Sequence, residues 1–183
     1  MKNSTITVSK KTKDKIDRLG KWTGLKCNTC VKLLIYEQYE HYLTDPDDFR
    51  EKILRKRNGQ NKENIPITIG FSDEYTDGFY EIEEELDSKT KKNTILKNMI
   101  LMELDVIFSE KKFINRSVKE VLEIFYKDEE EFKRLNPSFN PDDIFGKEAL
   151  EIVKKINISR RDAIRWLLAK HIILSTKHIL TNE

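Results

Sequence analysis

Cysteine is scarce in this chain, and long hydrophobic runs are lacking altogether. Two cysteines in 183 residues are too few for a disulfide-stabilised fold and indicate a reducing environment. The apolar stretches fall well short of the roughly 20 residues that a membrane-spanning helix needs. The polar N-terminus lacks the apolar core of a secretory signal peptide. We therefore expect a cytoplasmic protein that does not enter a membrane.

Catalytic and cofactor-binding motifs are also missing from the sequence. It contains no glycine-rich phosphate loop, no H-E-x-x-H and no nucleophile motif. The acidic residues are too numerous and too evenly spread for one catalytic pair to stand out. We therefore expect neither an enzyme nor a cofactor.

Cys27 and Cys30 form a C-x-x-C pattern, which elsewhere marks zinc sites or redox-active dithiols. Zinc needs further ligands, and the three histidines are not at zinc-finger spacing: His41, His171 and His178. Cys30 falls at an apolar helix position, and Cys27 falls at a helix start, where a lowered thiol pKa is one alternative. A structural role is favoured over redox sensing and over metal binding, so no metal site is predicted.

Charge is distributed unevenly along the chain. Residues 1–60 contain 14 Lys and Arg against 8 Asp and Glu, whereas residues 61–183 contain 20 against 24. The first part therefore has a net charge of +6 and the rest −4, although the total is only +2. A basic segment is typical of a module that binds a polyanion. The N-terminal part is thus the expected nucleic-acid-binding end.

The stretch Ser4–Ser9 alternates apolar and polar residues, with Ile6 and Val8 on the apolar face. This period of two predicts a strand that is too short to stand alone and must pair with another. Ser9 is a suitable N-cap for the lysine-rich helix that follows, and Gly24 a suitable C-terminal stop.

A second helix is expected from about Lys26–Asn28 to Leu43, with an apolar face broad enough to contact several neighbours. Thr44–Asp48 then indicates a cap and the start of a short helix. The basic segment Arg55–Gly59 is interpreted as a linker, with a phosphate-contacting tail as the alternative.

The same order of elements occurs again. Ile65–Ser72 predicts a strand, and two helical patterns follow it. Shifted by 63 residues, Ile69, Phe71, Ser72, Phe79 and Ile82 fall on Ile6, Val8, Ser9, Ile16 and Leu19. Shifted by 65, residues 91–97 fall on residues 26–32 with the common pattern K-x-N-T-x-x-K. The chain is therefore predicted to contain a tandem repeat, with the two-residue difference in a turn.

The C-terminal region is predicted to be helical. Residues 118–125 form one amphipathic face, a further helix passes through Leu150 and Val153, and Ser159 caps the last helix. Pro137 and Pro141 would disrupt a strand in this region. A plain helical hairpin is favoured over a degenerate third repeat.

Residues 4–36 resemble the ribbon-helix-helix family of DNA-binding proteins, of the Arc, MetJ and CopG type. The resemblance is carried by the strand Thr5–Ser9, the Ile16 and Leu19 stripe, the turn Thr23–Leu25 and the apolar second helix from Cys30 to Ile35. It implies a mainly α fold with short β-strands, built from tandem ribbon-helix-helix modules and a C-terminal helical region.

The predicted organisation has four parts. Residues 1–43 form the DNA-binding module, and residues 44–63 form a short helix and basic linker. Residues 64–107 form a second, acidic ribbon-helix-helix-like module. Residues 108–183 form the C-terminal helical region.

The resemblance also implies a mode of DNA binding, in which two antiparallel strands enter the major groove as a ribbon. The implied base-contacting residues are Asn3, Thr5, Thr7 and Thr68. The implied phosphate-contacting residues are Lys2, Lys26, Cys27 and Asn28, mostly at the start of the second helix. Family members often have a capping Ser or Thr where this chain has Lys26, which can attract a phosphate but cannot accept the capping hydrogen bond.

The second repeat is chemically different. Its outward strand positions are Pro66, Thr68 and Gly70, which are poor readers of bases. Its first helix is acidic, and the run Glu81–Asp87 is interpreted as a solvated face, with a docking surface for a basic partner protein as the alternative. The two repeats could pair within one chain, or each could pair with its counterpart in another chain; the charge asymmetry favours the second arrangement. A homodimer or higher oligomer is expected.

These features predict a sequence-specific double-stranded DNA-binding protein. It would act as a transcriptional repressor, a copy-number regulator, or a plasmid-transfer (conjugation) or partition accessory protein. The alternative is a protein-interaction module such as an antitoxin, whose C-terminal helices bind a partner protein. An antitoxin tail is usually short and disordered when free, whereas residues 117–175 have the pattern of capped helices, which lowers that alternative.

Overall fold

The computed structural model describes residues 2–56, 64–86, 90–109 and 144–180. Within these ranges the strands are β1 (Lys2–Ser9) and β2 (Asn64–Phe71), and the helices are α1 (Lys10–Thr23), α2 (Cys27–Thr44), α3 (Pro46–Arg55), α4 (Asp73–Glu85), α5 (Lys92–Ser109), α6 (Ile144–Ile156) and α7 (Arg160–Leu180). The predicted fold class, mainly α with short β-strands, is confirmed. The helix predicted over residues 118–125 lies outside the described residues, as do Pro137 and Pro141. None of the helices in the described ranges combines the length and apolar character that a membrane crossing requires.

Local signals account for the helix ends. Ser9, Asp45, Ser72 and Ser159 each accept a hydrogen bond from a first-turn backbone N–H at 3.1–3.3 Å. These bonds satisfy donors that a helix start otherwise leaves without a partner. α1 ends at Gly24, whose φ of 72° is accessible to glycine without steric cost. The predicted caps are confirmed.

β1 and β2 pair with each other, antiparallel and within one chain. Thr5 lies opposite Thr68, and Ile6 lies opposite Ile67. This corrects the expectation that each repeat pairs with its counterpart in another chain. The charge asymmetry behind that expectation concerns outward side chains, whereas strand pairing is decided by the inward ones. Because both strands belong to one chain, their pairing is also intramolecular, which gives the second strand a high effective concentration.

The register places an approximate two-fold axis between the repeats. Thr68 follows Thr5 by 63 residues, which is the offset that relates the two strands, and these two residues face each other directly. α2 packs against α5, while α2 contacts β2 and α5 contacts β1. These reciprocal contacts are those that a two-fold rotation requires.

The two repeats share one continuous core. Ile6 and Val8 of β1 are fully buried, as are Leu34 of α2 and Leu96 of α5. α3, which connects the repeats, adds the fully buried Phe49. The predicted ranges 1–43 and 64–107 therefore fold against each other rather than around separate cores.

The C-terminal helices α6 and α7 form a hairpin that packs on α1 and α2. Trp166 donates from Nε1 to a Glu37 carboxylate oxygen at 2.6 Å. Lys32 donates from Nζ to the Ile156 carbonyl at 3.1 Å. Arg165 donates from Nη1 to the Gly24 carbonyl at 3.0 Å. The hairpin thus packs on the first repeat and is hydrogen-bonded to the turn between α1 and α2.

Candidate nucleic-acid interface

The outward face of the β1–β2 ribbon is polar and exposed to solvent. Asn3, Thr5, Thr7 and Thr68 are all exposed, while the intervening Ile6 is buried. The Thr5 and Thr68 hydroxyl oxygens lie 3.2 Å apart across the ribbon, within hydrogen-bond distance. The four residues predicted to contact bases therefore lie together on one surface.

This surface can form the contacts that distinguish base pairs. Asparagine amides can bond adenine in a bidentate manner, and threonine offers a hydroxyl and a methyl group that can contact thymine. Asn64, at the start of β2, is also exposed and lies opposite Ser9. Asn64 was not predicted as a base contact, although it lies four residues before Thr68 and therefore on the same face of an alternating strand.

Two of the three outward positions expected in the second strand are exposed. Pro66 and Thr68 face solvent, but Gly70 is buried. Gly70 lies opposite Asn3 in the register, and a residue without a side chain presents only backbone, which neighbouring atoms cover easily. Gly70 therefore lies on the outward side of the strand, opposite the exposed Asn3, but it offers no exposed group to a base.

The start of α2 lies beside the ribbon. Asn28 donates from Nδ2 to the Thr68 carbonyl at 3.2 Å. Lys26 occupies the N-cap position without a side-chain capping hydrogen bond, as predicted, and is exposed. A helix start with uncapped N–H groups and a lysine favours an anion. Lys26 and Asn28 are thus placed together at one side of the ribbon.

The repeat supplies a similar group at the start of α5. Lys91 and Asn93 correspond to Lys26 and Asn28, and both are exposed. Since α5 contacts β1 as α2 contacts β2, we expect them across the ribbon from the start of α2. Neither was predicted as a phosphate contact, although the common K-x-N-T pattern was the signal that could have identified them. Lys92, between them, donates to the Tyr80 hydroxyl at 2.9 Å.

The two cysteines lie in environments that disfavour thiolates. Burial raises the pKa of the Cys30 thiol to about 12. Burial also raises the pKa of Cys27, although the nearby Lys13 ammonium acts in the opposite direction. A reactive thiol needs a lowered pKa, so these surroundings favour a structural role. Any contribution of Cys27 to phosphate binding would come from its backbone N–H.

Three residues were singled out in the sequence whose side chains lie outside the described part of the structure: Lys2, His171 and His178. The Nε2 atom of His41 lies 2.8 Å from a carboxylate oxygen of Asp48. In the ranges that the structure describes, no group of three His, Cys, Asp or Glu side chains could hold a metal ion.

A comparison with known protein families, with curated proteins and with solved structures found no match. The resemblance to ribbon-helix-helix proteins therefore rests on the residues quoted above, and it stays a prediction.

Proposed function

We propose that this chain binds double-stranded DNA sequence-specifically, with the β1–β2 ribbon in the major groove. The observation that carries the proposal is the exposed polar face of this ribbon, beside which Asn28 at the lysine-bearing start of α2 is hydrogen-bonded to Thr68. A two-stranded ribbon is one of the two elements that the major groove admits. Backbone phosphates then lie on both sides of the inserted element, where Lys26 and Lys91 would meet them.

The residues divide into two roles. Asn3, Thr5, Thr7 and Thr68 contact base edges and determine which sequence is bound. The starts of α2 and α5 contact phosphates and hold the ribbon in position. Phosphate contacts contribute affinity to every sequence because they release counterions from the DNA. This contribution decreases as the salt concentration rises.

The bound site should be asymmetric. Since both strands come from one chain, positions related by the two-fold axis differ in chemistry. Asn3 corresponds to Pro66, and Thr7 corresponds to Gly70. One half of the ribbon therefore offers more hydrogen-bonding groups than the other, and the preferred DNA sequence need not be a palindrome.

A sequence-specific binder of this kind would act as a transcriptional or copy-number regulator, or as a plasmid-transfer or partition accessory protein. The alternative, an antitoxin-like module with a partner on its C-terminal helices, has less support. The apolar residues Ile152, Ile156 and Leu167 of the hairpin are already buried within the chain.

In-vitro selection of DNA sites with the full chain tests the proposal. We expect one enriched sequence without palindromic symmetry. The double variant Thr5→Ala/Thr7→Ala should then lose roughly tenfold or more of its affinity for that sequence, because base contacts contribute about 1–3 kcal/mol each. Its affinity for unrelated DNA should stay the same, as should its thermal stability, since both residues are exposed.

Thr44→Ala is the matched control, because Thr44 is an exposed threonine at the far end of α2 from the ribbon. It should bind the selected sequence like the unaltered chain. The proposal would be contradicted if selection enriched no sequence, or if Thr5→Ala/Thr7→Ala retained full affinity.

A further inference from the structure

The exposed stripes of α1 and α4 carry opposite charge at equivalent positions. The α1 stripe consists of Lys11, Asp14, Arg18 and Lys21, and the same 63-residue shift converts it into Glu74, Asp77, Glu81 and Glu84. All eight residues are exposed. Three of the four positions change from basic to acidic, and the fourth is aspartate in both. We call these surfaces the basic stripe and the acidic stripe.

The two stripes match in length and spacing. In each, the residues follow one another by three, four and three positions, which keeps them on one face of a helix. Ten residues of helix span about 15 Å. If the two helices lie side by side, either parallel or antiparallel, three of the four positions bring opposite charges together.

The two stripes lie on helices that have different neighbours within one chain. α1 packs on both strands and on α2, α5 and α7, whereas α4 packs on α5. In the described part of the chain, α1 forms its ion pairs through positions outside the basic stripe. Lys13 pairs with Asp17 at 2.5 Å, and Lys15 lies 3.4 Å from Asp105 of α5.

We propose that copies of this chain associate head to tail, with the basic stripe of one copy against the acidic stripe of the next. A second copy fits the surface because the complementary charges occur at matched spacing in the same molecule. Contacts between two basic or two acidic stripes would be repulsive, which disfavours a symmetric dimer through these helices. A head-to-tail contact leaves one stripe free at each end, so further copies can add.

The association should be weak and sensitive to salt. Exposed ion pairs contribute little individually, and ions screen them. Sedimentation velocity of the full chain, without DNA, at about 0.05 M and about 0.5 M salt tests this directly. We expect species larger than a monomer at low salt that dissociate at high salt. Since no DNA is present, the result is independent of the proposed DNA-binding function.

Two charge-reversal variants make the test specific. The triple variant Lys11→Glu/Arg18→Glu/Lys21→Glu has two acidic stripes, and Glu74→Lys/Glu81→Lys/Glu84→Lys has two basic stripes. Each variant alone should associate at least roughly tenfold more weakly than the unaltered chain. An equimolar mixture should recover association, because every stripe of one variant is complementary to every stripe of the other.

The control is Lys147→Glu/Lys154→Glu/Arg161→Glu, which makes the same change in net charge as the Lys11→Glu/Arg18→Glu/Lys21→Glu variant, but at exposed positions of the C-terminal hairpin. It should associate like the unaltered chain. If circular dichroism shows that a triple variant has lost helix, Arg18→Glu and Glu81→Lys replace the two triple variants in the same mixing test.

Three results would overturn the proposal. The unaltered chain could stay monomeric at low salt. The charge-reversal variants could associate as strongly as the unaltered chain. The mixture could fail to associate although both variants are folded.

Discussion

In the first repeat, the helix after the strand exposes lysine and arginine, and in the second repeat the equivalent helix exposes glutamate and aspartate. The inward positions of the same helices are apolar in both. Ile16 corresponds to Phe79 and Leu19 to Ile82, and all four are buried. The comparison teaches that the inward positions carry the common fold, whereas the outward positions are free to take opposite chemistry, because exposed charges contribute little to folding.

The repeats also differ in the size of their inward side chains. The second repeat places Phe71, Tyr75 and Phe79 in a cluster with Tyr39 of α2, whose ring centroid is 4.5 Å from that of Tyr75. The equivalent positions in the first repeat hold Val8, Thr12 and Ile16. Gly78 provides the space, because a Cβ at this position would lie 2.0 Å from the Tyr39 hydroxyl oxygen.

The largest expected effect concerns the shared core. Phe79→Ala in the second repeat should destabilise the chain by about 3–5 kcal/mol, and Ile16→Ala in the first by about 2–5 kcal/mol. Because the core is continuous, both substitutions should shift the same cooperative transition. Denaturant unfolding followed by circular dichroism and tryptophan fluorescence measures this. Two separate transitions, each sensitive to only one substitution, would mean that the repeats are independent.

A smaller loss of stability is expected from filling the space between Gly78 and Tyr39, which is specific to the second repeat. Gly78→Ala forces Tyr39 out of its aromatic contacts, and overpacking of this kind costs about 1–3 kcal/mol, although alanine regains up to about 1 kcal/mol of helix propensity. Thermal unfolding should therefore show a lowered midpoint. The control Glu74→Ala, at an exposed position of the same helix, should change stability by no more than about 0.5 kcal/mol. A Gly78→Ala variant as stable as this control would show that Tyr39 adapts freely.

Substitution of the proposed phosphate-contacting lysines tests whether the two repeats contribute equally to the proposed DNA binding. Lys26→Ala and Lys91→Ala should each weaken binding to all DNA sequences and lower the salt slope of log K by about 1. Fluorescence anisotropy at several salt concentrations gives both quantities. Lys52→Ala, at an exposed position of α3, should leave both unchanged. If Lys91→Ala behaves like this control, only the first repeat contacts phosphates.

The smallest effect is expected at Glu85, whose equivalent in the first repeat is the buried Trp22. Arg50 donates from Nη2 to the Glu85 carboxylate at 2.6 Å, and this hydrogen bond lowers the pKa of Glu85. A carboxyl group with a lowered folded-state pKa stabilises the chain above its ordinary pKa and loses this contribution as the pH falls through the folded value. Glu85→Gln should thus be slightly less stable near pH 7 and indistinguishable from the unaltered chain in acid, as measured by thermal unfolding. An equal difference at both pH values would argue against the ion pair.

Much of the candidate site was predictable because it depends on local patterns. Alternation alone assigned Thr5 and Thr7 to the polar face of β1, and the capping residues located the starts of α1 and α4. Lys91 was overlooked because its proposed role depends on the packing of α5 against β1, a strand that is distant in sequence. The burial of Gly70 depends likewise on the residue across the ribbon.

The sequence by itself determined the order of the elements, their caps and which face of each is apolar, since these follow from the spacing of residues along the chain. Only the tertiary structure decided that β1 pairs with β2, that Asn28 reaches the Thr68 carbonyl, and that the C-terminal hairpin rests on Glu37 and Gly24. Such contacts join residues up to 141 positions apart. They depend on how all the apolar faces are buried together, and no local pattern encodes that choice.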